Sequence, residues 1–151
     1  MRVLEPLTVE VRGLLRQVHD FRSGDRRLAR LSRPLWPGRV SVDLADGRRL
    51  QVVALGRWRR LWLLWQGETE KAQGQPSWAA RRAELVFEAV PYAVLPMATW
   101  AHHYRLISEA DTQVLTIAFR GPLQREATLC PQVALDLALV VFAYDLARRL
   151  L

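Results

Sequence analysis

Arg57-Trp58-Arg59-Arg60, with Trp62 just beyond, is the densest gathering of side chains in this sequence that could bind something. Guanidinium groups grip phosphate oxygens, and an indole beside them can settle at a membrane interface or stack on a base. The competing reading is an amphipathic strand that packs its tryptophans inward and leaves its arginines in water. Other reactive residue types are spaced against catalysis or metal binding. His102 and His103 are neighbours, so in a strand they point to opposite faces and cannot share one metal, and no HExxH or Cys/His spacing occurs. His19-Asp20 reads as an exposed turn, not an acid/base pair, and no serine sits in a GxSxG setting. Cys130, between Leu129 and Pro131, reads as a small buried hydrophobe, although a thiol aimed at a helix N-terminus would have a lowered pKa. Asp43, Asp46 and Gly47 miss the spacing of an EF-hand calcium loop, and neither GxGxxG nor GxxxxGKS/T occurs. No catalytic residue, cofactor or metal ligand is therefore assigned.

Composition sets the frame for that cluster. The 151 residues read as a single domain, 1–151, long enough to bury roughly 70% of the unfolded surface. Cys130 is the lone cysteine, which excludes an intrachain disulfide and points to a reducing compartment. Glu5, Pro6 and Glu10 interrupt what would be the apolar core of a secretory signal, so the expected location is the cytoplasm, with a peripheral place on a membrane compatible. A net charge of +7 suits anionic lipid, nucleic acid or an acidic protein as partner and does not choose among them. Every basic residue but Lys71 is arginine, asparagine is absent and isoleucine is rare, as in chains from GC-rich bacterial genomes. That usage accounts for arginine over lysine, but not for the excess of positive over negative charge.

The elements that would hold such a cluster can be read in order. Residues 7–21 fit a strand and a helical stripe equally, and both remain open. A short strand follows over Arg26 to Ser32. Val40, Val42 and Leu44 alternate with polar residues, Asp46-Gly47 follows, and Leu50, Val52 and Ala54 resume the alternation, which predicts a hairpin on a type I′ turn. In the strand after Gly56, Trp58, Trp62 and Leu64 share one face and Leu61, Leu63 and Trp65 the other, so its second half reads as buried on both. Gly67 to Ser77 has no large apolar residue and two glycines, and is predicted to be a loop that a protease would cut first. Between Trp78 and Ala89 strand and helix periods compete, with a strand preferred over Arg82 to Ala89. Pro91 and Pro96 break the next segment, a second hairpin spans Trp100 to Phe119, and Arg125 to Leu129 is a last strand.

Gln132 to Leu151, opened by Pro131, is predicted to be one helix. Its apolar residues face every direction, so it must be enclosed. Its longest uncharged stretch, Leu137 to Tyr144, is far short of the ~20 residues a membrane span needs, so no transmembrane segment is expected. Ten short strands, mostly antiparallel neighbours, would then curl around the helix. The expected fold is mainly β (α+β by count): an antiparallel meander forming a barrel-like sheet around a buried C-terminal helix. Asp136 should lie near the entrance, and Asp145 and Arg149 should pair near the exit, where Arg148 and Arg149 also suit the helix dipole.

This order of short strands followed by an apolar helix, ALDLALVVFAYDLARR, resembles the tubby-like group of folds, which includes the LURP-one-related proteins and phospholipid scramblases. In that group twelve strands surround a central helix. The resemblance spans Leu28 to Leu151, and no lipid-binding or calcium-binding residue of the group can be matched here. It implies a non-catalytic binding or scaffold domain, with anionic lipid headgroups as ligand. A nucleic-acid-binding domain using the Arg/Trp cluster is the alternative, and an enzyme with a pocket at the barrel mouth is the third.

Overall fold

The computed structural model describes residues 1–34, 39–56, 61–97 and 102–151. A two-residue strand β1 (Arg2–Val3) is followed by β2 (Leu7–Arg12), β3 (Gln17–Ser23), β4 (Arg26–Arg33), β5 (Val40–Leu44), β6 (Arg49–Leu55) and β7 (Leu61–Gln66). Then come β8 (Thr69–Ser77), β9 (Arg82–Phe87), β10 (Val90–Pro96), β11 (His103–Ser108), β12 (Gln113–Arg120), β13 (Glu126–Pro131), the short β14 (Leu135–Asp136) and helix α1 (Leu137–Arg149). Strands β2 to β13 form a closed barrel in which each pairs antiparallel with its sequence neighbours and β13 closes on β2. The fold is thus mainly β: twelve strands wrapped around a C-terminal helix. Closure leaves the barrel without an edge to protect.

Simple alternation builds most of the wall. In β2, Leu7, Val9 and Val11 are buried while Thr8, Glu10 and Arg12 are exposed, which settles that part of the ambiguous first segment as strand. The β5–β6 hairpin pairs Val42 with Leu50 as the alternation requires. Its turn differs in type. Only Gly47 of the Asp-Gly pair has positive φ (92°), and the Gly47 amide donates to Leu44 O at 3.0 Å, so the loop is a type I turn closed by a glycine bulge, not a type I′ turn.

Two segments depart from their predicted structure. Residues 69–77, expected to be loop, form β8, the longest strand of the barrel, paired to β7 and β9 on both sides. Its inward residues are Ala72, Gly74 and Pro76, all buried. They are small because the helix is close: a Cβ added at Gly74 would lie 2.7 Å from Leu146 Cδ1. The strand fills space by yielding it. Residues 90–96 form β10, with Pro91 second and Pro96 last, positions where a missing N–H costs the ladder little.

Helix α1 starts five residues later than the Gln132 expected. Pro131 ends β13 opposite Leu115, and residues 132–136 carry the chain from the wall to the barrel axis. There β14 pairs with β1, and the Asp136 carboxylate caps the helix by accepting from the Ala138 amide at 2.9 Å. From Leu137 to Ala147 every residue is buried, so the helix is enclosed on all sides. Because neighbouring strands run in opposite directions, their connections alternate between two ends. One is the entry end, where Asp136 meets Arg48 at 2.9 Å; the other is the exit end, where the helix finishes.

Candidate functional site

The alternation of strand direction segregates charge. Among the described residues, the connections at the exit end carry Arg16, Arg39, Arg81 and Arg125 and no aspartate or glutamate. Those between barrel strands at the entry end carry Asp25, Asp46, Glu68, Glu88, Glu109 and Asp111 against the single base Arg48. Arg48 is itself engaged there, and its hydrogen bond pulls the Asp46 carboxyl down to about 2. The described connections at one end of a basic molecule therefore carry arginine and no carboxylate, and the helix adds Arg148 and Arg149 beneath them, the latter paired with Asp145. Such an arrangement concentrates positive potential at one face.

The same end exposes large apolar side chains. Leu14, Leu15 and Leu123, at 81%, 70% and 75% exposure, stand on the β2–β3 and β12–β13 connections, and Trp78, at 46%, stands on the β8–β9 connection. Trp78 is held in place: its Nε1–H donates to Arg149 O at 3.3 Å, and the Tyr104 hydroxyl donates to Leu150 O at 3.2 Å. Both bonds satisfy carbonyls that a helix end leaves open. Arg148 Nη1 donates to Gln124 O at 2.7 Å and so ties the β12–β13 connection to the helix.

Beneath this rim lies a buried polar layer. Asp145 is fully buried between Arg33 and Arg149, and the Arg149 bond is 3.0 Å. Burial pushes its carboxyl upward, but the two guanidiniums outweigh burial and hold it below the usual range. The i,i+4 pair expected from the sequence is present; Arg33 as its third member was not foreseen. Beside it, His19 Nδ1 lies 2.7 Å from the Tyr144 hydroxyl. The other ring nitrogen, His19 Nε2, is buried with no hydrogen-bond partner. His19 and Asp20 are thus not an exposed turn. His19 faces the helix from β3, and Asp20 faces outward beneath Arg12 and Arg30 (2.8 Å to Arg30 Nε). With His19, Tyr144 and Asp145 each at 0% exposure and partnered inside the protein, this layer is structural.

His19 makes stability pH-dependent. Burial, then Arg148 and Arg33, lower its pKa from 6.5 to about 3, so the native state keeps it neutral while the unfolded chain protonates it. Its contribution is complete above pH 6.5 and is lost as pH falls toward the folded value. The lowered carboxylates, Asp20, Asp46, Asp136 and Asp145, act in the same sense but only below about pH 4. Between about pH 6.5 and 4, stability should fall by about 1.4 kcal/mol per pH unit. Urea midpoints of His19→Phe measured across that window should lose this slope; a variant with the wild-type slope would refute the assignment.

No family model, curated protein or solved structure matches this chain. Its function has to be read from the molecule alone. Arg57, Trp58, Arg59 and Arg60 lie outside the described residues, in the β6–β7 connection. Trp62 turns into the lumen at 4% exposure, and the Arg149 guanidinium stacks 3.4 Å from its ring centroid, so for Trp62 the inward-packing alternative holds. Leu63, on the outer face of β7, is nonetheless only 5% exposed, in keeping with a strand buried on both faces. Cys130 is half-buried in β13, and not the fully buried small hydrophobe expected. Among the described residues no group of His, Cys, Asp or Glu side chains could hold a metal, and no helix is long and apolar enough to cross a membrane. A shallow depression of about 450 Å³ on the outer wall, lined by Ser41, Asp43, Arg49 and Gln51 among others, lies toward the entry end. It gathers no set of groups suited to catalysis.

Proposed function

We propose that the chain is a non-catalytic, membrane-peripheral binding domain that recognises anionic lipid headgroups with the exit end of its barrel. The observation that carries this reading is the charge segregation among the described residues: arginines without a carboxylate in the exit-end connections, acids gathered in those of the other end. Arginines near an anionic bilayer contribute about 1 kcal/mol each, which suits reversible attachment and needs no spanning helix. Twelve strands around a C-terminal helix also support reading the chain as tubby-like, and an anionic cytoplasmic leaflet is the surface this charge pattern fits.

Co-sedimentation with phosphatidylcholine vesicles, with and without phosphatidylserine, tests the reading at low and high salt. The expected result is binding to the anionic vesicles alone, weakened by salt because exposed charges are screened. A gel shift on random DNA run beside it separates the nucleic-acid alternative: a shift with no vesicle binding would replace the lipid reading.

A further inference from the structure

The three most exposed large apolar residues among those described, Leu14, Leu123 and Leu15, come from two connections that touch. Arg125 Nη2 donates to Gly13 O at 3.2 Å, and the Val11 amide donates to Arg125 O at 2.8 Å, so the β2–β3 and β12–β13 connections form one ledge on the exit-end rim. The ledge is built to present these side chains. Gly13 has φ of 89°, and a Cβ there would come within 2.1 Å of Arg16 O, so only glycine makes the turn that lifts Leu14 and Leu15 to its tip. Leu123 has φ of 58°, a left-handed conformation that leucine seldom adopts, and Gln124 follows at 51°. A strained, exposed leucine held between hydrogen-bonded neighbours is the kind of outlier that marks a working surface. Arg148 braces the ledge from below through Gln124 O.

We infer that Leu14, Leu15 and Leu123 form a wedge that inserts among the acyl chains just below the headgroups of an anionic bilayer. The inference rests on the lipid reading above and adds to it the inserting residues and an end-on orientation. The occupant is chosen by charge and shape. Arg16 and Arg125 flank the leucines, the nearest acids are Glu126 on β13, whose carboxylate lies beside Gly121, and its cross-strand partner Glu10 on β2, and the leucines project as tips and do not line a groove that could receive a partner's side chains. Apolar tips ringed by arginine supply the two signals, insertion and charge, that stable peripheral attachment requires. The acidic end of the barrel then faces away from the membrane.

The test compares the full chain with the variant L14S/L15S/L123S on phosphatidylcholine vesicles containing phosphatidylserine, and on a monolayer of the same lipids. The substitutions are at exposed positions and leave the net charge unchanged, so the melting temperature should hold. The expected result is binding weaker by at least about tenfold, an unchanged salt dependence, and loss of the surface-pressure rise that the wild type produces. A variant that binds and inserts as the wild type does would overturn the wedge while leaving headgroup recognition standing. Absence of wild-type binding would overturn both. Binding to random DNA at comparable strength, insensitive to the three leucines, would also overturn the wedge.

Discussion

Truncating the chain before residue 133 will leave a protein with no cooperative unfolding transition. The inner residues of the wall, among them Leu31, Leu64, Leu106 and Ile117 at 0 to 1% exposure, are covered by the helix and by one another. Without α1 they would line a lumen too wide for side chains from the wall to fill, and their burial would be lost. A graded version of the same test is Phe142→Ala. The ring is fully buried and points at the small inward residues of β8, so its removal opens a cavity that a closed barrel cannot collapse. The expected cost is about 3 to 5 kcal/mol. Thermal and urea melts read both results. A truncated protein that melts at the full-length temperature would show that the barrel stands without its helix.

Asp145→Ala should cost about 3 to 5 kcal/mol as well, for a different reason. The carboxylate sits at 0% exposure between two guanidiniums that are themselves only 23% and 13% exposed, and its loss leaves two cations together in the barrel. The penalty belongs to the uncompensated charges more than to the value of the pair. Replacing the three at once, as R33M/D145L/R149M, should therefore cost less than Asp145→Ala alone. Urea denaturation of the two variants decides this, and a triple variant less stable than the single one would show that the ion pairs themselves hold the barrel end together.

Much of this fold was legible in the chain because alternation is a strong local signal. Val40 to Ala54 and Tyr104 to Phe119 announce their hairpins, and a helix apolar on all sides announces its own enclosure. The two missed strands have physical causes. In β8 the inward positions are Ala72, Gly74 and Pro76, whose smallness is set by Phe142 and Leu146 from far along the chain, so no local pattern reveals them. In β10 the prolines sit at the strand ends, where they do no harm. The late start of the helix was likewise hidden: nothing local shows that residues 132–136 must cross from wall to axis before Asp136 can cap the first turn.

These omissions reach the candidate site. In a meander every strand reverses the chain, so each missed strand assigns the following connections to the wrong end until a second omission restores them. Without β8, the connection bearing Trp78 and Arg81 falls among the acids of the entry end, and the segregation of charge disappears from view. His19 and Asp20 were misjudged because adjacency suggested a turn, whereas alternation in β3 sends one residue to the helix and the other beneath surface arginines.

The central claim is that position, not net charge alone, directs binding, and a charge-matched comparison tests it most directly. R16E/R39E removes two exposed arginines from the exit-end connections, and R26E/R49E removes two exposed arginines from the entry-end side, for the same change in net charge. Partition onto phosphatidylserine-containing vesicles is measured for both at about 0.1 M salt. The exit-end variant should lose most of its binding, while the entry-end variant should stay within about twofold of wild type, because screening confines each charge's influence to about 10 Å. Equal losses from the two variants would contradict the claim and reduce the attraction to net charge.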